Sequence, residues 1–196
     1  MATVGLSLPD VIGEPWTGEQ INDQMRRVHA ESVAYWAQYS AADFFRRPSP
    51  DVWAPVDQVR HLTKSMRAVS NGLRRSWPVL WMRFGRSRRP SMPCSKLSAW
   101  YHDVLKTRPS AGPFSPAPMD ASQQNDAGRA LVMEYHAVAI HEHCGFLAQW
   151  SESALDRWRL KHPVLGMLSL REFGFFTLLH NVHHVHVAEG RRQATE

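Results

Sequence analysis

Cysteine is scarce in this chain of 196 residues: Cys94 and Cys144 are the only two. That excludes a disulfide framework and the paired spacings of structural zinc sites, and reduced thiols in a cytoplasmic protein are expected. Long apolar runs are also missing, and none approaches the ~20 residues of a membrane-spanning helix, so no membrane partner is expected. The opening stretch MATVGLSLPDVIGEP has no basic start and places Pro9 and Asp10 where a signal sequence would have its apolar core. It is expected to be a leader, residues 1–16, strapped to one domain at 17–190, with a frayed tail at 191–196. No clean run of alternating β-branched residues appears, so the strand signal is weak. There is no internal repeat. G-x-S-x-G, the P-loop and G-x-G-x-x-G are all absent, which removes the commonest serine-hydrolase, nucleotide and dinucleotide signatures.

Acidic residues are outnumbered, 18 against 23 Lys and Arg, giving a net charge of +5. Most of the excess lies in RRSWPVLWMRFGRSRRP, residues 74–90. A solubilising loop is the plainer reading, and a patch for phosphate or acidic ligands is the functional one.

What the chain has is helical periodicity. The first long segment covers residues 17–47, opened by a Thr17/Gln20 capping box and striped by Ile21, Met25, Val28, Ser32, Tyr35 and Tyr39. The second starts at WAPVDQ, with Pro55 in its first turn, and fades or bends between Arg75 and Pro78. A short helix at 94–107 and a Pro-rich crossover at 108–126 follow. The third long helix is expected at 126–158. After the link RLKHPVLGM, Ser169 and Glu172 form a second capping box that opens the fourth, which ends at Gly190. The fold class expected is all-α, a four-helix bundle with a short extra helix and a Pro-rich crossover between its second and third helices.

The fourth helix carries His180, His183, His184 and His186. At about 100° per residue, His184, Phe173, Phe176 and Val187 all fall within about 40° of His180 on one face. One turn apart, they can converge on one ion. His183 and His186 drift off that face, although a shifted pairing of His180 with His183 stays open. A catalytic metal usually has three protein ligands and one open position. His61, beside the stripe begun by Val59 and Leu62, is the best third ligand. On the third helix, His136 and His143 fall on the line of Val132, Ile140 and Leu147, and are candidates for a further ligand, a supporting partner or a proton carrier. His141 and His143 flank Glu142, but two residues apart their rings diverge by about 200° and cannot chelate together.

Three segments are similar to the DinB-like superfamily of metal-binding four-helix bundles. VWAPVDQVRHLTKS (52–65) resembles the family's Trp-x-x-x-Glu/Gln-x-x-x-His-Leu entry to the second helix. LSAWYHDVLKTRPSAGPFSPAP (97–118) is similar to the Tyr-containing short helix and crossover of one subgroup. KHPVLGMLSLREFGFFTLLHNVHHVHVAE (161–189) resembles the His-Pro-x-x-Gly link and the final helix with His-x-x-x-His. The resemblance implies a metal triad of His61, His180 and His184 holding a divalent ion such as nickel or zinc. It also implies chemistry with a low-molecular-weight thiol, as in bacillithiol and mycothiol S-transferases.

Three functions are carried forward. The first is a metal-dependent enzyme, a thiol S-transferase or hydrolase of small molecules, with His136 or His143 moving protons. The second is a non-catalytic metal or ligand carrier. Its fourth helix is apolar on the far side as well, at Phe175, Leu178, Val182 and Val185, which suggests a homodimer. The third, nucleic-acid binding through Arg83, Arg86, Arg88 and Arg89, is the weakest fit, because the arginines cluster in one loop and no recognised motif accompanies them.

Overall fold

Thr17 accepts a hydrogen bond from the Gln20 amide, and the Gln20 side chain accepts one from the Thr17 amide. This capping box opens α1 (Gly18–Trp36) in the computed structural model, which describes residues 8–107 and 109–194. Residues 1–7 of the expected leader, 108 of the crossover and 195–196 of the tail lie outside the described residues. The first helix stops at Trp36 instead of running to 47. Arg129 donates to the carbonyls of Trp36 and Tyr39, and Ser40 caps a new short helix, α2 (Ala41–Phe45). A stripe of apolar residues reads continuously across such a break, because both pieces face the same core.

Pro55 begins α3 (Pro55–Leu73), and the buried Asp57 carboxylate accepts from the Ala54 amide while pairing with Arg47 at 2.8 Å. The chain then bends into a separate α4 (Trp77–Phe84) and continues to α5 (Cys94–Leu105). The crossover contains two 3-10 turns, at Gly112–Phe114 and Ala121–Gln123, and leads to α6 (Asp126–Ala148). The third long helix also ends sooner than expected. The Trp150 indole donates to the Leu73 carbonyl, and Ser151 starts α7 (Glu152–Arg157). The following link is an antiparallel hairpin, β1 (Arg159–His162) with β2 (Gly166–Ser169), paired from Arg159↔Ser169 to His162↔Gly166. Four-residue strands are too short to show a period in sequence. Last comes α8 (Leu170–Gln193), opened by the predicted Ser169/Glu172 box. It passes Gly190 because Arg192 and Gln193 both donate to the Glu189 carboxylate.

The four long helices make the bundle. α3 lies between α6 and α8, and α1 closes the ring between the same two. Consecutive long helices α1 and α3 are therefore diagonal, which leaves the α3–α8 seam to be covered by α5, the crossover and the hairpin. α8 is buried on nearly all sides: Phe175, Leu178 and Val185 are fully covered by this one chain. Its apolar far side thus needs no second copy to bury it.

Candidate metal centre

α8 places His180 and His184 one turn apart, facing His61 on α3. The His180 Nε2 atom is 3.1 Å from that of His61 and 2.9 Å from that of His184. All three side chains are buried, and their facing nitrogens lie within 4.8 Å of one another. No other group of three or more His, Cys, Asp or Glu converges this way among the described residues.

The outer nitrogens fix the chemistry. His61 Nδ1 donates to the Phe114 carbonyl at 3.1 Å, and His184 Nδ1 donates to Gln58 Oε1. Those oxygens only accept, so the proton sits on Nδ1 and each Nε2 offers a lone pair inward. Burial, followed by the neighbouring imidazoles, pushes His180 and His184 well below the ordinary histidine range; burial also lowers His61. One proton on His180 satisfies at most one of the two facing lone pairs, whereas a cation satisfies all three nitrogens. Metal–nitrogen bonds of about 2.0–2.1 Å place neighbouring ligand nitrogens roughly 3 to 3.4 Å apart, close to the separations here. The three histidines fit a divalent metal.

Aromatic rings pin the imidazoles. Trp53 stacks on His184 at 6.2 Å, and Phe176 stacks on His180 at 5.0 Å. The triad forms part of the wall of a cavity of about 630 Å³. It runs along the α3–α8 seam from Trp53 to Gly72 and the hairpin. None of the described residues lining it is Asp or Glu, whereas Arg75, Arg83, Lys161 and Arg191 all contribute.

The other histidines separate by position. His183 lines the cavity beside Tyr101 but is outside the converging set, so the shifted pairing with His180 is not formed. His186 donates to the Pro9 carbonyl at 3.0 Å and ties down the leader. His136 and His143 are not among the described residues that line the cavity. His136 meets Thr63 at 3.2 Å, while His143 bridges Ser70 at 3.4 Å and Thr177 at 3.1 Å. They sit at the contacts of α6 with α3 and α8. Burial pushes them down to about 3 and about 4 respectively.

His162 is a cavity-lining histidine that sequence reasoning missed. Its Nδ1 accepts from the Val164 and Leu165 amides, and its ring packs on Phe176 at 4.3 Å in the cavity wall. The signal for it is the hairpin, which aims alternate residues inward. The basic stretch divides too. Arg89 pairs with the fully buried Glu172, Arg86 lies over Trp158, and Arg83 reaches the cavity.

The family model of the DinB superfamily matches residues 24–188. The chain belongs to the DinB superfamily. No curated protein and no solved structure matches it. Among the described residues of this DinB-superfamily chain, no helix is long and apolar enough to cross a membrane.

Proposed function

We propose that this DinB-superfamily protein is a metal-dependent enzyme acting on small anionic molecules, by thiol S-transfer or hydrolysis. The observation that carries the reading is the convergence of three imidazole nitrogens, from His61, His180 and His184, on the wall of a cavity of about 630 Å³. Three neutral imidazoles suit nickel or zinc. A bound ion supplies a Lewis acid that lowers the pKa of a coordinated thiol or water. The protein's own groups do the rest. Gln58 and the Phe114 carbonyl hold the ligand tautomers. Trp53 and Phe176 shield the site from water. Arg75, Arg83, Lys161 and Arg191 attract the carboxylates of a thiol or substrate, with no acidic side chain in the described lining to oppose them.

The test is metal content by mass spectrometry on native protein and on His61→Ala and His180→Ala, beside thermal unfolding with and without added nickel and zinc. Stoichiometric metal in the wild type, its loss in both variants and a metal-dependent rise in Tm are expected. A screen of thiols with electrophiles then follows. No metal and no shift overturns the reading. A site that binds metal but admits no exchangeable water or thiol makes the protein a carrier.

A further inference from the structure

α4 is eight residues long and carries three large apolar side chains on the outside. Trp77 and Trp81 are each 53% exposed and Met82 is 75% exposed, while Leu80 is buried beneath them. Single exposed apolar residues are ordinary, but three large ones on two helical turns need an explanation. The sequence that flanks them carries one sign of charge. From Arg74 to Lys96 the sequence has no Asp or Glu. Arg74, Arg75, Arg83, Arg86 and Arg88 are all exposed around the helix.

Three kinds of partner could cover such a face. A second copy meeting it about a two-fold axis would bring arginines against arginines, with no acid in the segment to relieve them. A single-stranded nucleic acid needs open aromatic faces for stacking. Trp77 already has a face against Trp158, at 5.7 Å and 21°, and Met82, the most exposed of the three, offers no ring at all. An anionic bilayer fits every part. Indoles settle at the headgroup level, an aliphatic side chain enters the acyl boundary, and guanidinium groups reach the lipid phosphates. The absence of a spanning helix does not bear on a face that lies on the surface.

We propose that α4 and its flanking arginines dock the protein on an anionic membrane surface by shallow insertion of Trp77, Trp81 and Met82. Arg83 and Phe84 of the same helix line the cavity. Docking therefore brings the open seam to the layer where amphiphilic anions collect. The inference stands apart from the metal reading, since it uses none of the three histidines.

The test is co-sedimentation of the full-length protein with vesicles of phosphatidylcholine alone, or of equal parts phosphatidylcholine and phosphatidylglycerol, at low and high salt. Two double variants accompany it, Trp81→Ser with Met82→Ser and Arg74→Glu with Arg88→Glu, each checked for native circular dichroism and metal content. The protein is expected to pellet with the anionic vesicles and not the neutral ones. Each double variant should weaken this roughly fivefold or more, and salt should weaken it further. No pelleting, or variants that pellet like the wild type, overturns the proposal. So does binding of a fluorescent oligothymidylate without vesicle binding, which reassigns the face to nucleic acid. A concentration-dependent dimer lost in the variants, again without vesicle binding, reassigns it to a second copy.

Discussion

Gln58 shows how much of the site depends on a residue that never faces the ion position. It holds the proton on the outer nitrogen of His184. Gln58→Leu keeps the volume and removes the acceptor, and metal affinity should fall roughly 10- to 100-fold with little change in Tm of the metal-free protein. A competition titration against a chelator measures this, and unchanged affinity would remove the supporting role. At this scale the triad was legible in sequence because His180 and His184 are one turn apart and His61 lies in a family motif. The Phe114 carbonyl was not, since a backbone oxygen in a Pro-rich crossover leaves no side-chain signal.

His143 carries a residue-scale prediction of another kind. Burial lowers it from the ordinary value of 6.5 to about 4. Above about pH 6.5 it is neutral folded and unfolded, so its stability contribution is whole. As pH falls below 6.5 the unfolded chain takes a proton that the native site refuses. The loss amounts to about 2 kcal/mol at pH 5 from this residue alone, and it levels off below the folded value. His136 adds to it in the same direction. Urea unfolding of metal-free protein at neutral pH and at pH 5 reads the slope, which His143→Gln should flatten. A stability that does not fall between those conditions contradicts the assignment.

At the scale of elements, the start of α8 is fastened by Glu172. Its fully buried carboxylate accepts from the Ser169 and Met92 amides and pairs with Arg89. Glu172→Ala strands those donors and should cost roughly 2–4 kcal/mol in chemical denaturation. Arg89→Ala should cost about 1 kcal/mol, because that partner is nearly half exposed and water replaces it. Equal effects would mean that the carboxylate does not organise this end. The crossover has its own fixed point. A Cβ on Gly128 would lie 1.9 Å from the Gln123 carbonyl oxygen, a backbone atom with no rotamer to escape by. Gly128→Ala should destabilise by about 1–3 kcal/mol although alanine favours helices, and thermal unfolding decides which effect wins. Elements were legible where a cap and a stripe coincide, as at Thr17, Pro55 and Ser169. They were misread where a cap interrupts a stripe that continues beyond it, as at Ser40 and Ser151.

On the scale of the whole molecule, the bundle followed from four long periodic segments, and the family match covers most of the chain. The idea of a homodimer rested on α8 being apolar all round. The structure covers that helix with α1, α3, α5, α7 and the hairpin of the same chain. Helix periodicity says that a face must be buried and leaves open what buries it. Three of those covers, α5, α7 and the hairpin, are short pieces with little pattern of their own.

His61 and His180 are 119 positions apart in sequence. Viewed as chain connectivity, a single ion held by both ties a loop more than half the length of the protein. The crossover that supplies the Phe114 carbonyl lies inside that loop. Releasing such an ion would free the first turns of α3 and loosen the crossover above them in the same event. Amides of both segments should then exchange with solvent at one common rate after chelation, while those of α1 and α6 keep their protection.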